Sequence, residues 1–94
     1  NRGQTPPLYY YRTNNGLEVD LIIEEKLGRI KPCEIKLTKT PRPGMAQSMD
    51  RLRNLNKKKN FTISDGTVIC LASGSLALTR NAKACPLKNF LEAL

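Results

Sequence analysis

Glu18-Val19-Asp20-Leu21-Ile22-Ile23 and Ile30-Lys31-Pro32-Cys33-Glu34-Ile35-Lys36-Leu37 stand one short hairpin apart in a chain of 94 residues. Both stretches mix apolar, largely β-branched residues with charged ones, the composition of a half-buried strand. Side chains two apart in a strand point the same way. Glu18 and Asp20 therefore share a face, and so do Glu34 and Lys36. The connection Lys26-Leu27-Gly28-Arg29 is short and polar, which predicts an antiparallel hairpin. Val19, Leu21 and Ile23 form the core face of the first strand, with Glu18, Asp20, Ile22 and Glu24 opposite. In the second strand Cys33, Ile35 and Leu37 lie on one side, and Pro32, Glu34 and Lys36 on the other. Pro32 has no N–H to give, so it belongs near a strand end or against an unpaired stretch. Once paired, the strands would gather three carboxylates and one ammonium. Such a group can hold a hard divalent cation and orient a water beside it.

The pattern continues outward. Leu8-Tyr9-Tyr10-Tyr11-Arg12 has the aromatic content of a strand, and Asn14-Asn15-Gly16 is a turn. Thr40-Pro41-Arg42-Pro43-Gly44 breaks the chain. Met45, Met49, Leu52 and Leu55 then recur on one helical face, predicting a helix from about 45 to 55 with Arg51 and Arg53 off that face. Lys57-Lys58-Lys59 suits the negative end of its dipole. After the turn Ser64-Asp65-Gly66, residues 67–72 are apolar on both faces and read as a buried strand. A short strand follows at 76–79. Pro86 opens a last helix with Leu87, Phe90, Leu91 and Leu94 on one stripe. The Glu34 strand, the Met49 helix and the Val68 strand form a βαβ crossover, so those two strands are expected as parallel neighbours. The expected fold class is α/β, an α+β-like mixed sheet in one domain over residues 1–94. It has an antiparallel hairpin at one side, the crossover, and a C-terminal helix.

Composition narrows the chemistry. There is no histidine, so Ser-His-Asp and Cys-His catalysis are excluded, and a general base must be a carboxylate, a lysine or metal-bound water. Cys33, Cys70 and Cys85 are widely spaced with no CxxC pair, which argues against structural zinc. Reduced, mostly buried thiols are expected, as in a cytoplasmic protein. No apolar run approaches the roughly 20 residues that span a membrane. The first residues, Asn-Arg-Gly, suggest a piece of something longer.

The net charge of +8 is unevenly placed. From Asn1 to Glu34 five basic residues meet five acids, whereas from Lys36 to Lys59 eight basic residues face only Asp50. A basic segment fits a polyanion partner, and equally a solubilising surface or a patch against an acidic partner domain. Arg12 fits either a phosphate or a neighbouring carboxylate.

Asp20, a hairpin, Glu34-Ile35-Lys36, a helix and an apolar strand together resemble the PD-(D/E)xK nuclease superfamily. Tyr11-Arg12-Thr13-Asn14-Asn15-Gly16-Leu17-Glu18-Val19-Asp20, followed by Cys33-Glu34-Ile35-Lys36, resembles one branch of it. That branch is the C-terminal nuclease-like domain attached to AAA+-type ATPases of bacteria and archaea. Cys85-Pro86-Leu87 resembles the end of those domains. The resemblance implies a restriction-endonuclease-like core. It implies Asp20, Glu34 and Lys36 as catalytic residues. Asp20, Glu34, the carbonyl of Ile35 and an outer Glu18 would hold Mg²⁺ or Mn²⁺. Lys39, Arg42, Arg51, Arg53, Lys57, Lys58 and Lys59 would follow the phosphate backbone of a nucleic acid, DNA in the first instance. The implied partners are that nucleic acid and an N-terminal ATPase portion, with self-association a further expectation. Here the usual "PD" is Val19-Asp20, no acidic helix precedes the first strand, and no GxxxxGK[ST] occurs, so the piece itself carries no P-loop. A catalytically silent module of the same fold, binding nucleic acid or protein, is the alternative. A purely structural piece that closes against missing domains is a weaker one.

Overall fold

A computed structural model describes residues 8–12, 17–26, 28–55 and 62–93. The elements run β1 (Leu8–Arg12), β2 (Glu18–Lys26), β3 (Arg29–Ile35), a 3₁₀ turn (Pro43–Ala46), α1 (Gln47–Leu55), β4 (Thr62–Ile63), β5 (Gly66–Cys70), β6 (Leu76–Thr79), β7 (Ala82–Pro86) and α2 (Leu87–Ala93). The strands form one mixed sheet in the order β1-β2-β3-β5-β7-β6, with β4 also on β3. The fold is mixed α and β. Among the described residues no helix is long and apolar enough to cross a membrane.

The hairpin and the crossover both form. β2 and β3 are antiparallel, with Lys26 opposite Arg29 across the turn. Gly28 supplies the positive φ of +79° that this turn requires. β3 and β5 are parallel neighbours on either side of α1 in sequence. Because neighbouring residues of a strand face opposite ways, the sheet has two apolar faces, and each receives a helix. Met49 and Leu52 of α1 pack with Leu17, Val19, Ile22, Ile63, Val68 and Ala82. Phe90 of α2 packs with Ile23, Cys33 and Ile69 on the other side. The helical stripe is shorter than its sequence: Met49 and Leu52 are buried, whereas Leu55 is exposed. All three cysteines are free thiols, with Cys33 and Cys70 buried.

Two irregularities shape the sheet. The first lies in β2. Tyr9 pairs with Ile22 and Tyr11 with Val19, so Asp20 and Leu21 together oppose Tyr10. This bulge shifts the facing by one residue. Val19 therefore shares its core with Ile22, and Leu21 joins Ile23 on the other face. The strict alternation of Val19, Leu21 and Ile23 is thus corrected at this point. The second irregularity runs beside β3. Ile30 pairs with Ile63 of β4, but Cys33 pairs with Thr67 of β5. β4 and β5 are one line of strand carrying an extra residue near Ser64–Asp65. Pro32, which is buried, faces this interruption, where its missing N–H leaves no ladder bond unmade.

β4 and β7 are the elements that periodicity did not reveal. The chain passes from β5 to the edge as β6, then turns back into the gap as β7, parallel to β5 and antiparallel to β6. Pro86 closes β7, and α2 starts one residue later than the sequence suggests. The Asn14-Asn15-Gly16 turn and Lys57-Lys58-Lys59 lie outside the described residues.

Candidate functional site

β2 and β3 part company just beyond Leu21 and Cys33, the last pair of their regular ladder. Asp20 and Glu34 occupy the next positions, and their carboxylates take over backbone bonding there. Oε2 of Glu34 accepts the backbone N–H of Asp20 at 3.3 Å. Oδ2 of Asp20 accepts the backbone N–H of Ile35 at 2.9 Å. The bulge in β2 opens the gap, and the two acids bridge it in both directions. An extended residue directs its N–H and C=O toward the same neighbouring strand. The carbonyl of Ile35 therefore faces the gap in which Asp20 sits.

The environments of the two acids differ. Asp20 is exposed. Glu34 is only 5% exposed. Its carboxyl is pushed above the usual range, first by burial and then by the negative charge of Asp20. The N–H of Asp20 and the charge of Lys36 pull the other way. Lys36 follows β3 directly and is exposed. Its N–H binds the carbonyl of Ile69 at 2.9 Å, so its backbone is anchored to β5. Among the described residues its ammonium makes no ion pair. The chain thus brings Asp20, Glu34 and Lys36 to the C-terminal end of parallel β3 and β5, where open α/β sheets place their ligands.

Glu18 is engaged elsewhere. Its Oε1 accepts from the hydroxyl of Tyr10 and from Nε of Arg12, each at 2.7 Å. Those two donors hold its carboxyl below the usual range. The guanidinium of Arg12 also lies over the Tyr10 ring, 5.7 Å from its centre. Of the two roles open to Arg12, the structure shows pairing with a carboxylate. Glu18 is still close enough for its charge to contribute slightly to the shift of Glu34.

The basic residues divide. Lys39, Arg42 and Arg51 are exposed. Arg53 is turned inward, and its two terminal nitrogens donate to the carbonyls of Ile63 and Ser64, each at 2.9 Å. It fastens α1 to β4 and has few donors left for a phosphate.

Among the described residues no group of three or more histidines, cysteines or acids is placed to hold a metal. The available donors are two carboxylates and a carbonyl, all hard oxygens. Mg²⁺ is commonly held by only one or two carboxylates, with waters and substrate phosphates completing its shell. A buried carboxyl destabilised by a neighbouring acid also gains from an added cation. The residues present therefore fit such an ion.

What fold and site define is a mixed-sheet domain with crossed carboxylates at the C-terminal end of its parallel strands and a lysine beside them. The chain belongs to the family described as "Domain of unknown function (DUF4143)", which matches it over residues 1–90. No curated protein and no solved structure matches the chain.

Proposed function

We propose that this is a nuclease-like domain of the PD-(D/E)xK type, with a restriction-endonuclease-like core, which hydrolyses phosphodiester bonds of DNA. The observation that carries this reading is the crossed pair Asp20–Glu34 with Lys36 two residues on. Asp20, Glu34 and the carbonyl of Ile35 would hold Mg²⁺ or Mn²⁺. Once bound, that ion would polarise the phosphate and sharpen the acidity of water. Lys36 orients the attacking water and helps take its proton, and its charge offsets that developing on the phosphate. Ile69, by fixing the backbone of Lys36, keeps the lysine at the strand end. Lys39, Arg42 and Arg51 supply sequence-independent contacts to the nucleic-acid backbone. Glu18 acts from the rim, through Arg12 and Tyr10. In this reading the second partner is an ATPase portion of a longer chain.

Incubation with DNA and Mg²⁺ or Mn²⁺ tests the reading. Cleavage is expected from the wild type and not from Asp20→Asn, Glu34→Gln or Lys36→Met. Cleavage that persists unchanged in all three rejects it. The second reading, a silent module that binds nucleic acid or protein, is favoured by the engagement of Glu18 with Arg12. Salt-sensitive DNA binding without turnover under either ion would support it.

A further inference from the structure

The opposite end of the sheet, away from Asp20 and Glu34, holds a second feature. An open cavity of about 720 Å³ lies against the N-terminal ends of β3, β5 and β7, lined by five cations and two acids. The cations are Lys26, Arg29, Lys31, Arg80 and Lys83, and the acids are Glu25 and Asp65. One acid is already engaged. Glu25 lies 3.6 Å from Nε of Arg29 and accepts from the Ser64 hydroxyl at 2.6 Å. The same nitrogen of Arg29 donates to that hydroxyl at 3.0 Å. Ser64 is held in turn by its backbone N–H, which binds the carbonyl of Ile30 at 2.8 Å. Arg29 is thus fixed in position. Lys26, Lys31, Arg80 and Lys83 form no ion pair among the described residues.

We propose that this cavity is an anion site that takes phosphate groups. Like charges gathered round one concave space repel each other, and a multivalent anion relieves that repulsion. A polar, cationic lining suits phosphate rather than an apolar ligand, and the volume falls in the range of small-ligand pockets. Three parts of the fold supply the charges: the end of β2, the start of β3, and the β6–β7 turn with the start of β7. The extra residue in the β4–β5 line puts Ser64 and Asp65 between them. Along β3, Glu34 stands about 16 Å from Arg29 and about 10 Å from Lys31 of this cavity, at the other end of the strand. The proposal stands apart from the reading of those two acids.

Two phosphate sources share this chemistry, a free polyphosphate and a nucleic-acid backbone, and the experiment uses both as probes. Tripolyphosphate is titrated by calorimetry, and a labelled single-stranded oligonucleotide by anisotropy across a salt series. The double variant Lys31→Gln/Lys83→Gln is expected to weaken the bound probe at least tenfold, and Arg80→Glu to do likewise. Lys88→Gln, an exposed charge on α2 away from both sites, should bind either probe as the wild type does. All four side chains in question are at least partly exposed, and a thermal melt confirms that each variant is folded. Loss confined to tripolyphosphate assigns a free phosphate ligand. Loss for the oligonucleotide, with a salt slope shallower by about 0.7 per contact removed, assigns a backbone. Unchanged affinity of both probes in the double variant and in Arg80→Glu overturns the site, as does absence of binding by either probe at low salt.

Discussion

Asp20 and Glu34 each hold the strand of the other, because each carboxylate accepts a backbone N–H from across the gap. The acids that would do chemistry are therefore also the last rungs between β2 and β3. This dual role calls for substitutions that separate charge from bonding.

Asp20→Asn keeps an oxygen that can accept from Ile35, whereas Asp20→Ala leaves that N–H unpaired. We expect Asn to change stability little and Ala to cost about 1–2 kcal/mol. Both should abolish metal-dependent cleavage. Chemical denaturation and a cleavage assay on the same preparations check the split.

Glu34 gives a pH dependence of known sign. Its folded carboxyl titrates above the ordinary 4.5, chiefly through burial. Between 4.5 and that raised value the native state binds more protons than the unfolded one, so stability falls as pH rises through the window. Above the window the full cost remains. Glu34→Gln removes the titration while leaving an oxygen for the N–H of Asp20. Measured in EDTA, the variant is expected to melt higher than wild type at neutral pH. The gap should close as pH falls toward 4.5. A constant gap across that range would contradict this account.

Arg53 is expected to matter for folding and not for binding. Arg53→Ala removes both donors to Ile63 and Ser64, at a cost of about 2–3 kcal/mol. Arg51→Ala, from an exposed position, should cost less than about 0.5 kcal/mol. If Arg53→Met keeps full stability but flattens the salt dependence of DNA binding, the assignment is reversed.

Gly66 is pressed against Met49. A Cβ there would meet Sδ of Met49 at 2.6 Å, and the methionine is fully buried in the α1 core. Gly66→Ala is expected to cost about 1–3 kcal/mol through overpacking. Combined with Met49→Ala it should cost less than the sum of the two single changes, because each relieves the other. Urea denaturation of the four proteins measures the coupling.

Burial pushes the Cys33 thiol up to about 12. The thiolate is the reactive form, so Cys33 should resist iodoacetamide at pH 8 in the folded protein. Half-buried Cys85 should react first, and all three thiols should react once the chain is unfolded. Peptide mass mapping reads the order.

The hairpin and the crossover were legible because their signals are local and periodic: a short polar turn with glycine, a four-three spacing at Met45, Met49 and Leu52, and a solid apolar run at Val68. The pairing of Asp20 with Glu34 followed from the hairpin alone. The bulge did not. Leu21, Ile22 and Ile23 are all apolar, so an offset of one residue leaves no trace in a pattern of alternation. β7 was hidden for another reason. Ala82, Lys83, Ala84, Cys85 and Pro86 carry no β-branched residue. Ala82 and Ala84 are buried in the structure, where small side chains suit their places. The cavity at the far end was hidden because its cations come from segments that are electrically unremarkable along the chain. Only the strand order brings Lys31 and Lys83 to one opening.

The crossed carboxylates carry a lesson about inheritance. A chain of this shape with no nuclease activity at all would still lose a rung of that seam if either acid were exchanged for an apolar side chain. Selection for a sound hairpin is enough to keep both in place. The presence of these acids in another chain of this shape is therefore a statement about architecture first, and only turnover can say whether the chemistry survives.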